Sequence, residues 1–326
     1  MGWRVLVCDD ISEVGLERLH REGFDVLRRP GIRGDELVRR AAETDALLVR
    51  SRTHVTAELM AGCPDLRLVG RAGFGTQNID VEAATAKGVV VMHSPEGNAV
   101  TAAEYAIAMV LNLARHIPAA DASLRAGRWD KRRYRGVELR GKRLGVIGMG
   151  RVGRCVVERA RALQMEVLVH DPAMDPRQIT QAGAVPVSWD DLLGLSDFIT
   201  VHVNASRYTR GLFGQDAFER MKDRVRIVNC SAPGVVDEKA LVRAIRAGKV
   251  AGAAIDVFTE EPPIGNPLLE MEQVIVTPHL LASTFEAQIN VARALADQVI
   301  AFFNEGRVED AVNPEVFERL RPATGA

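Results

Sequence analysis

The chain has almost no excess of charge. Lys and Arg number 42 against 43 Asp and Glu, a formal net of −1, so no global field draws it toward nucleic acid or an anionic membrane. It also lacks any apolar run near bilayer length. The first apolar run, Trp3 to Cys8, stops at Asp9-Asp10 and reads as a buried strand, too short for a secretory leader. Cysteine is sparse: Cys8, Cys63, Cys155 and Cys230 are scattered, with no C-x-x-C and no paired spacing. A reduced, cytoplasmic compartment is the simplest expectation, and no metal is expected. Short repeats and low-complexity segments are missing too. The basic run Lys131-Arg-Arg-Tyr-Arg135 is short and isolated, which suits a solvated loop better than a nucleic-acid site. What remains is a globular chain of 326 residues with core enough for about two domains.

Against that plain background one stretch carries chemistry. Gly148-Met149-Gly150-Arg151-Val152-Gly153 follows the strand-like run Arg143 to Ile147 and precedes a helix-like run, Arg154 to Leu163. A second apolar run, Glu166 to His170, ends at Asp171, eighteen residues past the last glycine. This is a G-x-G-x-x-G turn inside a strand–helix–strand unit. Such glycines allow a tight turn and close backbone approach to a pyrophosphate on the helix N-terminus. The acid suits free ribose hydroxyls and repels a 2′-phosphate, so NAD is expected rather than NADP. The turn lies near the middle of the chain, so a separate core must precede it.

Residues 1–95 alternate strand-like and helix-like runs, with strands expected at Arg4–Cys8, Phe24–Leu27, Ala46–Arg50, Leu66–Gly70 and Val89–Met92. Such alternation implies parallel strands with crossover helices. The nearly all-apolar segment Thr101 to Arg115 is expected to be a helix buried on most faces. Further strands are expected at Phe198–His202, Val225–Asn229, Gly252–Asp256 and Val274–Thr277, and a last helix, Thr284 to Asn304, should return to the first domain. The expected architecture is α/β: two Rossmann-like domains with parallel sheets, the second inserted into the first. Residues 1–97 with 284–326 would form a flavodoxin-like substrate domain. Residues 98–283 would form the NAD-binding domain, with helix 101–115 as connector and dimer interface.

Polar residues at the C-terminal ends of strands are the natural ligand set of open α/β sheets. Arg50-Ser51-Arg52 and Arg71 to Gly75 end strands of the first domain; His202, Asn229-Cys230-Ser231, Asp256 and His279 end strands of the second. A cleft between the domains would gather them. Arg50, Arg52 and Arg71 together suit an anionic substrate, with ordinary surface charge as the alternative. His279 and Glu261 form a plausible acid/base couple, in which the carboxylate fixes the imidazole tautomer. A histidine at a strand end is more often structural, and His54, His93, His116 and His170 are read that way.

Taken together, several motifs resemble a known family. They are Gly70-Arg-Ala-Gly-Phe-Gly75, Asn78-Ile-Asp80, Ala103-Glu104, the glycine turn, His170-Asp-Pro172, Val236-Asp-Glu238, Ala251 to Pro263, and Pro278-His279, in that order. The chain resembles the D-isomer-specific 2-hydroxyacid dehydrogenases over about residues 4 to 305, and within them the short-form D-3-phosphoglycerate dehydrogenase branch, without the C-terminal regulatory domains some members carry. The resemblance implies NAD-dependent hydride transfer. It makes His279 the proton acceptor or donor at the C2 oxygen, supported by Glu261, and gives Asp256 the nicotinamide carboxamide. Gly148, Gly150, Arg151, Val152 and Gly153 would hold the pyrophosphate and Asp171 the adenosine ribose. His202, Val203, Cys230 and Ser231 would line the cofactor cleft. Backbone amides near Gly73, with Arg50, Ser51 and Arg71, would bind the substrate's anionic groups. A basic residue from a neighbouring subunit's 131–135 loop would help in a homodimer.

The departures from the family pattern cluster. Where the family reads Asn-Cys-Ala-Arg-Gly-Gly, this chain has Asn229-Cys230-Ser231-Ala232-Pro233-Gly234. The arginine that would clamp the substrate carboxylate is therefore Ala232, and Pro233 fixes φ and deletes an N–H. Leu281 stands for a glycine two residues after the histidine, and Asn204 for a proline. Retention of His279, Glu261, Asp256, Asp171 and the glycines argues for a working redox site with an altered substrate, such as a phosphorylated or phosphonate analogue of a 2-hydroxy acid. The alternative is a catalytically impaired NAD(H)-binding protein acting as a sensor or regulatory partner.

Overall fold

The computed structural model describes residues 2–73, 75–94, 99–308 and 310–320. The chain divides into two compact units: Met1–Asn98 with Ser283–Ala326, and Ala99–Ala282. Phe74 and the junction expected at residues 97 and 98 lie outside the described residues.

The first unit runs β1 (Arg4–Val7), α1 (Glu13–Arg21), β2 (Asp25–Arg28), α2 (Gly34–Ala41), β3 (Ala46–Val49), α3 (Ala57–Ala61), β4 (Leu68–Arg71), α4 (Val81–Lys87) and β5 (Val90–His93). Its five strands are parallel, in the order β2-β1-β3-β4-β5. All four residues of β3, Ala-Leu-Leu-Val, are buried, as a central parallel strand covered on both faces requires. The connecting helices carry ordinary punctuation. Thr56 caps α3 through the Leu59 amide, Asp80 caps α4 through the Ala83 amide, and Gly88 closes α4 in the left-handed conformation.

The second unit continues with α5 (Ala99–Arg115), α6 (Ile117–Arg125), β6 (Arg143–Ile147), α7 (Arg151–Ala162), β7 (Glu166–His170), α8 (Pro176–Gln181) and β8 (Val185–Pro186). Then come α9 (Trp189–Leu195), β9 (Phe198–Val201), α10 (Gln215–Arg220), β10 (Val225–Asn229), α11 (Glu238–Arg246), β11 (Val250–Ile255) and β12 (Val274–Val276). Its seven strands are again all parallel, ordered β12-β11-β10-β9-β6-β7-β8. The order reverses between β6 and β9. That reversal is the topological switch point at which such sheets bind ligands.

Two expectations need correction here. Helix α7 starts at Arg151, three residues earlier than its apolar pattern indicates, because Gly150 is the extended residue that opens it. Helix α5 is buried along one face rather than most, through Ala102, Ala103, Ala106, Ile107, Met109, Val110, Leu113 and Ala114. Val100 and Leu111 remain 51% and 37% exposed. Its buried face packs on α7, where Val156, Val157 and Ala160 meet it. Among the described residues no helix is long and apolar enough to cross a membrane.

The chain then returns to the first unit as α12 (Phe285–Glu305) and α13 (Pro314–Leu320). Leu295, Ala296 and Val299 of α12 join the core of Val5, Val7, Leu16 and Leu19. Asn313 fastens the last segment to β5: its Oδ1 accepts from the Val91 amide at 2.8 Å and its Nδ2 donates to the Val89 carbonyl at 3.0 Å. Helices α1 and α12 meet at Gly15, where an added Cβ would lie 2.4 Å from the Ala292 carbonyl oxygen. Gly15→Ala is therefore expected to lower the unfolding free energy by about 1–3 kcal/mol, read by urea denaturation. Unchanged stability would contradict so close a helix contact.

Candidate active site

The glycine turn is built at the switch point of the second unit, and each glycine has a distinct reason. Gly148 has φ of 87°, and a Cβ there would sit 2.5 Å from the His202 carbonyl oxygen at the end of β9. Gly153 lies in the first turn of α7, where a Cβ would sit 2.1 Å from the Gly148 carbonyl oxygen. Gly150 faces open space, with nothing within 4 Å of its would-be Cβ. It opens a 12-residue helix with no side-chain cap. The first and third glycines thus serve the protein's own packing. The second leaves a bare, electropositive helix end open to a visitor, which is the cradle a dinucleotide pyrophosphate fits.

Asp171 follows β7 and is partly exposed beside that turn. Its Oδ2 accepts from the Met149 amide at 2.8 Å and its Oδ1 from the Ala173 amide at 3.0 Å. The Gly148 amide donates to the His170 carbonyl at 3.1 Å, so the turn is tied to β7 twice. Each carboxylate oxygen keeps a lone pair for a ribose hydroxyl. Arg151 is exposed and Val152 half-buried against the core. His202 is partly exposed; its Nε2 lies 3.0 Å from Thr200 Oγ1, and burial of the ring pushes its pKa down to about 4. The ring is therefore neutral near pH 7 and adds no charge at the end of β9.

The second centre lies beyond β11 and β12. His279 Nδ1 lies 3.1 and 3.0 Å from the two carboxylate oxygens of Glu261. Their side chains are 53% and 37% exposed, so the imidazole's other nitrogen can reach a ligand. Glu261 is held in turn, its Oε1 accepting from the Phe258 amide at 3.1 Å. Glu238, at the start of α11, holds the same loop, accepting from the Thr259 amide at 2.7 Å, from its hydroxyl at 2.8 Å and from Asn266 Nδ2. Sequence reasoning missed that role for Glu238, whose only signal was its place in the Val236-Asp-Glu238 motif. The arrangement is an imidazole held by a carboxylate, a pairing that can fix the ring's tautomer.

Asp256, the residue expected to meet a cofactor carboxamide, follows β11 and is 0% exposed. Its Oδ1 accepts from Thr277 Oγ1 at 2.6 Å, the Leu280 amide at 2.8 Å and the Tyr105 hydroxyl at 3.1 Å, and its Oδ2 from the Leu281 amide at 2.9 Å.

The segment carrying the departures is a tight turn after β10. Asn229 ties it from both sides, accepting from the Ser231 amide at 3.3 Å and donating to the Ala232 carbonyl at 3.3 Å. Ser231 Oγ donates to the Val203 carbonyl at 2.7 Å, joining this turn to the end of β9. Cys230 is buried at 2% exposure, and burial raises its thiol pKa well above the ordinary value. Ala232 is also buried, at 5%, in the core that includes Ile227, Val235 and Leu241. Leu281 is half-buried against the core that α5 and α7 share, and Asn204 is exposed.

In the first unit the order β2-β1-β3-β4-β5 puts a switch point between β1 and β3. Asp9 lies there, 2% exposed, and its Oδ2 accepts from the Arg50 amide at 2.6 Å while Oδ1 accepts from Thr53 Oγ1 at 2.9 Å. Asn78 Nδ2 reaches the Arg50 and Thr53 carbonyls at 2.7 and 2.5 Å. The Arg50–Thr53 loop is thereby clamped on both sides, a support that sequence reasoning did not assign to Asp9. Arg71 donates from Nη1 to Gln77 Oε1 at 3.1 Å. Burial, and secondarily the nearby Arg50 cation, lower its pKa. Two guanidiniums held near each other favour an anion between them. Ser51 and Arg52 are exposed, and Gly73 takes φ of 142°. Arg133, from the basic run, pairs with Glu272 of its own unit.

This fold and these motifs define a class. Residues 107–280 match the profile described as D-isomer specific 2-hydroxyacid dehydrogenase, NAD binding domain, and the chain belongs to that family. Among named relatives, the D-3-phosphoglycerate dehydrogenase of Archaeoglobus fulgidus is 45% identical over 98% of this chain and 62% of its own length. That of Bacillus subtilis is 40% identical over 98% of this chain and 62% of its own. The chain thus spans about three fifths of the length of these relatives. The solved NAD-dependent formate dehydrogenase from Staphylococcus aureus, in complex with NAD, is 26% identical with a TM-score of 0.80, covering 94% of this chain and 97% of the other.

The three glycines separate folding from binding. Gly150→Ala is expected to leave the melting temperature within about 2 °C while weakening NADH binding at least about tenfold, because its Cβ enters only the space above the helix end. Gly153→Ala should lower both. Fluorescence titration and thermal melting read the two effects, and equal NADH affinity in Gly150→Ala would contradict the cradle.

Proposed function

We propose that this chain is an NAD-dependent dehydrogenase acting on a small anionic 2-hydroxy or 2-keto acid, phosphoglycerate-like or a phosphorylated or phosphonate analogue. The observation that carries this reading is the His279–Glu261 contact at 3.0 Å in a family member whose second unit carries the dinucleotide cradle. When bound, NAD supplies the hydride acceptor at its nicotinamide ring. The amides around Gly148, Gly150, Arg151, Val152 and Gly153 hold the pyrophosphate, and Asp171 holds the adenosine ribose. Val203, Cys230 and Ser231, with the neutral His202, would line the cofactor cleft.

In the oxidative direction His279 Nε2 accepts the proton of the C2 hydroxyl as the C2 hydrogen leaves with its electron pair. Glu261 stabilises the imidazolium that results. In the reverse direction the imidazolium returns the proton to the carbonyl oxygen. Arg50 and Arg71, with the Ser51 hydroxyl and the backbone at Gly73, take the substrate's anionic groups. A homodimer, with α5 and the 131–135 segment at the interface, and a reducing cytoplasmic setting complete the reading; all four cysteines are unpaired thiols.

Ala232 defines what is unusual about the reaction. A methyl group stands where the family's guanidinium would polarise the reacting carbonyl, and losing such a donor costs of order 3 kcal/mol in catalysis. A substrate with its own charge near that end, as in a phosphonate, does not need the arginine. The same burial of Ala232 in the core also favours a second reading, an NADH-binding sensor without turnover. A screen of 2-keto acids, phosphorylated and phosphonate analogues included, followed by NADH absorbance, separates the two. The expected result is turnover on one anionic analogue and a loss of about 10²–10⁴-fold in His279→Ala. Ala232→Arg, checked for unchanged NADH binding, is expected to shift preference toward 3-phosphoglycerate. Tight NADH binding with no turnover across the panel would favour the sensor. Efficient turnover of 3-phosphoglycerate by the wild-type chain would contradict the altered substrate, and indifference to His279→Ala would contradict the proton role.

A further inference from the structure

His279 sits in an unfavourable backbone conformation, with φ of 55°. A non-glycine residue in that region is strained and persists only where its surroundings hold it. One residue does the holding. The amides of His279, Leu280 and Leu281 are consecutive, and all three end on Asp256: on its carbonyl oxygen at 3.0 Å, on Oδ1 at 2.8 Å and on Oδ2 at 2.9 Å. Two of the three, from Leu280 and Leu281, close on its carboxylate and the His279 amide closes on its backbone carbonyl, so the turn is pinned to one residue from both its main chain and its side chain. Thr277, two residues before the histidine, adds its hydroxyl to Oδ1 at 2.6 Å. Asp256 thus brackets His279 on both sides.

The carboxylate itself must be aimed, and one donor to it comes from a remote element. The Tyr105 hydroxyl of α5 donates to Oδ1 at 3.1 Å across a separation of 151 residues. Burial of the phenol pushes its pKa well up, so it keeps its proton and stays a donor throughout the neutral range. The hydroxyl thereby ties α5 to the carboxylate that holds the His279 turn.

We propose that Tyr105 is a positioning residue for His279, acting through Asp256, whose carboxylate anchors the turn that carries the histidine. Asp256 on this account is an internal clamp. Its work is to hold the His279 backbone so that Nδ1 meets Glu261 and Nε2 is left for substrate. The catalytic half of the proposal rests on the proton role given to His279 above; the structural half does not.

Tyr105→Phe in the full chain tests it, since the ring is kept and one hydroxyl is lost. Amide exchange over residues 279–283 is expected to quicken about tenfold with exchange elsewhere unchanged, because only this turn loses its anchor. At saturating cofactor kcat is expected to fall about tenfold through misplacement of the histidine, with the KM for cofactor within about twofold. Asp256→Asn should push both readouts further in the same direction, because an amide cannot accept from both the hydroxyls and the backbone amides. Faster exchange throughout the second unit would overturn the proposal in favour of general stability. So would an unchanged kcat with a raised cofactor KM, which would mark Asp256 as a cofactor contact. If no substrate is turned over, the functional reading fails by itself, and the exchange pattern still decides whether Tyr105 and Asp256 anchor the turn.

Discussion

Parallel strand order is the constraint on which the rest of this structure depends. In each unit every strand runs the same way, so every strand's C-terminal end emerges on one edge of its sheet. Crossover helices occupy the faces, and the loops at that edge are left to the polar residues. Where strand order reverses, neighbouring loops part and backbone groups are left facing a crevice. In the second unit that place brings Gly148 against the His202 carbonyl. In the first it brings the Arg50 amide onto Asp9. The candidate site residues follow from this geometry, because each of them closes or follows a strand.

Three acidic residues at that edge of the second unit show how environment sets employment. Asp171, partly exposed, receives two backbone amides and keeps lone pairs toward solvent. Glu261, more exposed, meets an imidazole. Asp256 has no exposure and receives four donors. A buried carboxylate is tolerated only when its charge is answered in this way. Asp256 so answered is part of the frame that holds the turn after β12. The same logic bears on Ala232. Its methyl packs into the core without strain, whereas an unpaired guanidinium in that place would need an anionic ligand to answer it.

Much of the fold was legible in the sequence, for a physical reason. Strands buried on both faces read as unbroken apolar runs, and β3, β6, β7 and β10 stand within a residue of where those runs place them. Helices were less legible. The short helices α8, α9 and α10 carry too few turns for a 3.6-residue period to show, and α7 begins in residues that look like loop because glycine opens it. For the site, the glycine turn and Asp171 are visible as spacing because they sit in one continuous unit. The clamp on His279 is not, since it depends on backbone amides, which have no letter in a sequence, and on a tyrosine 151 residues from Asp256. The clamping roles of Asp9 and Asn78 were not legible for the same reason: each acts by bonding the backbone of another loop.

The central claim is that this chain moves a hydride between nicotinamide and C2 of an anionic 2-keto acid, giving the D configuration. Reduction of the best substrate from the keto-acid panel with C4-deuterated NADH, followed by NMR and chiral analysis of the product, measures this directly. The account predicts one deuterium at C2 of a product of D configuration, in step with oxidation of the dinucleotide. Product carrying no deuterium at C2, or deuterated product of L configuration, would contradict it.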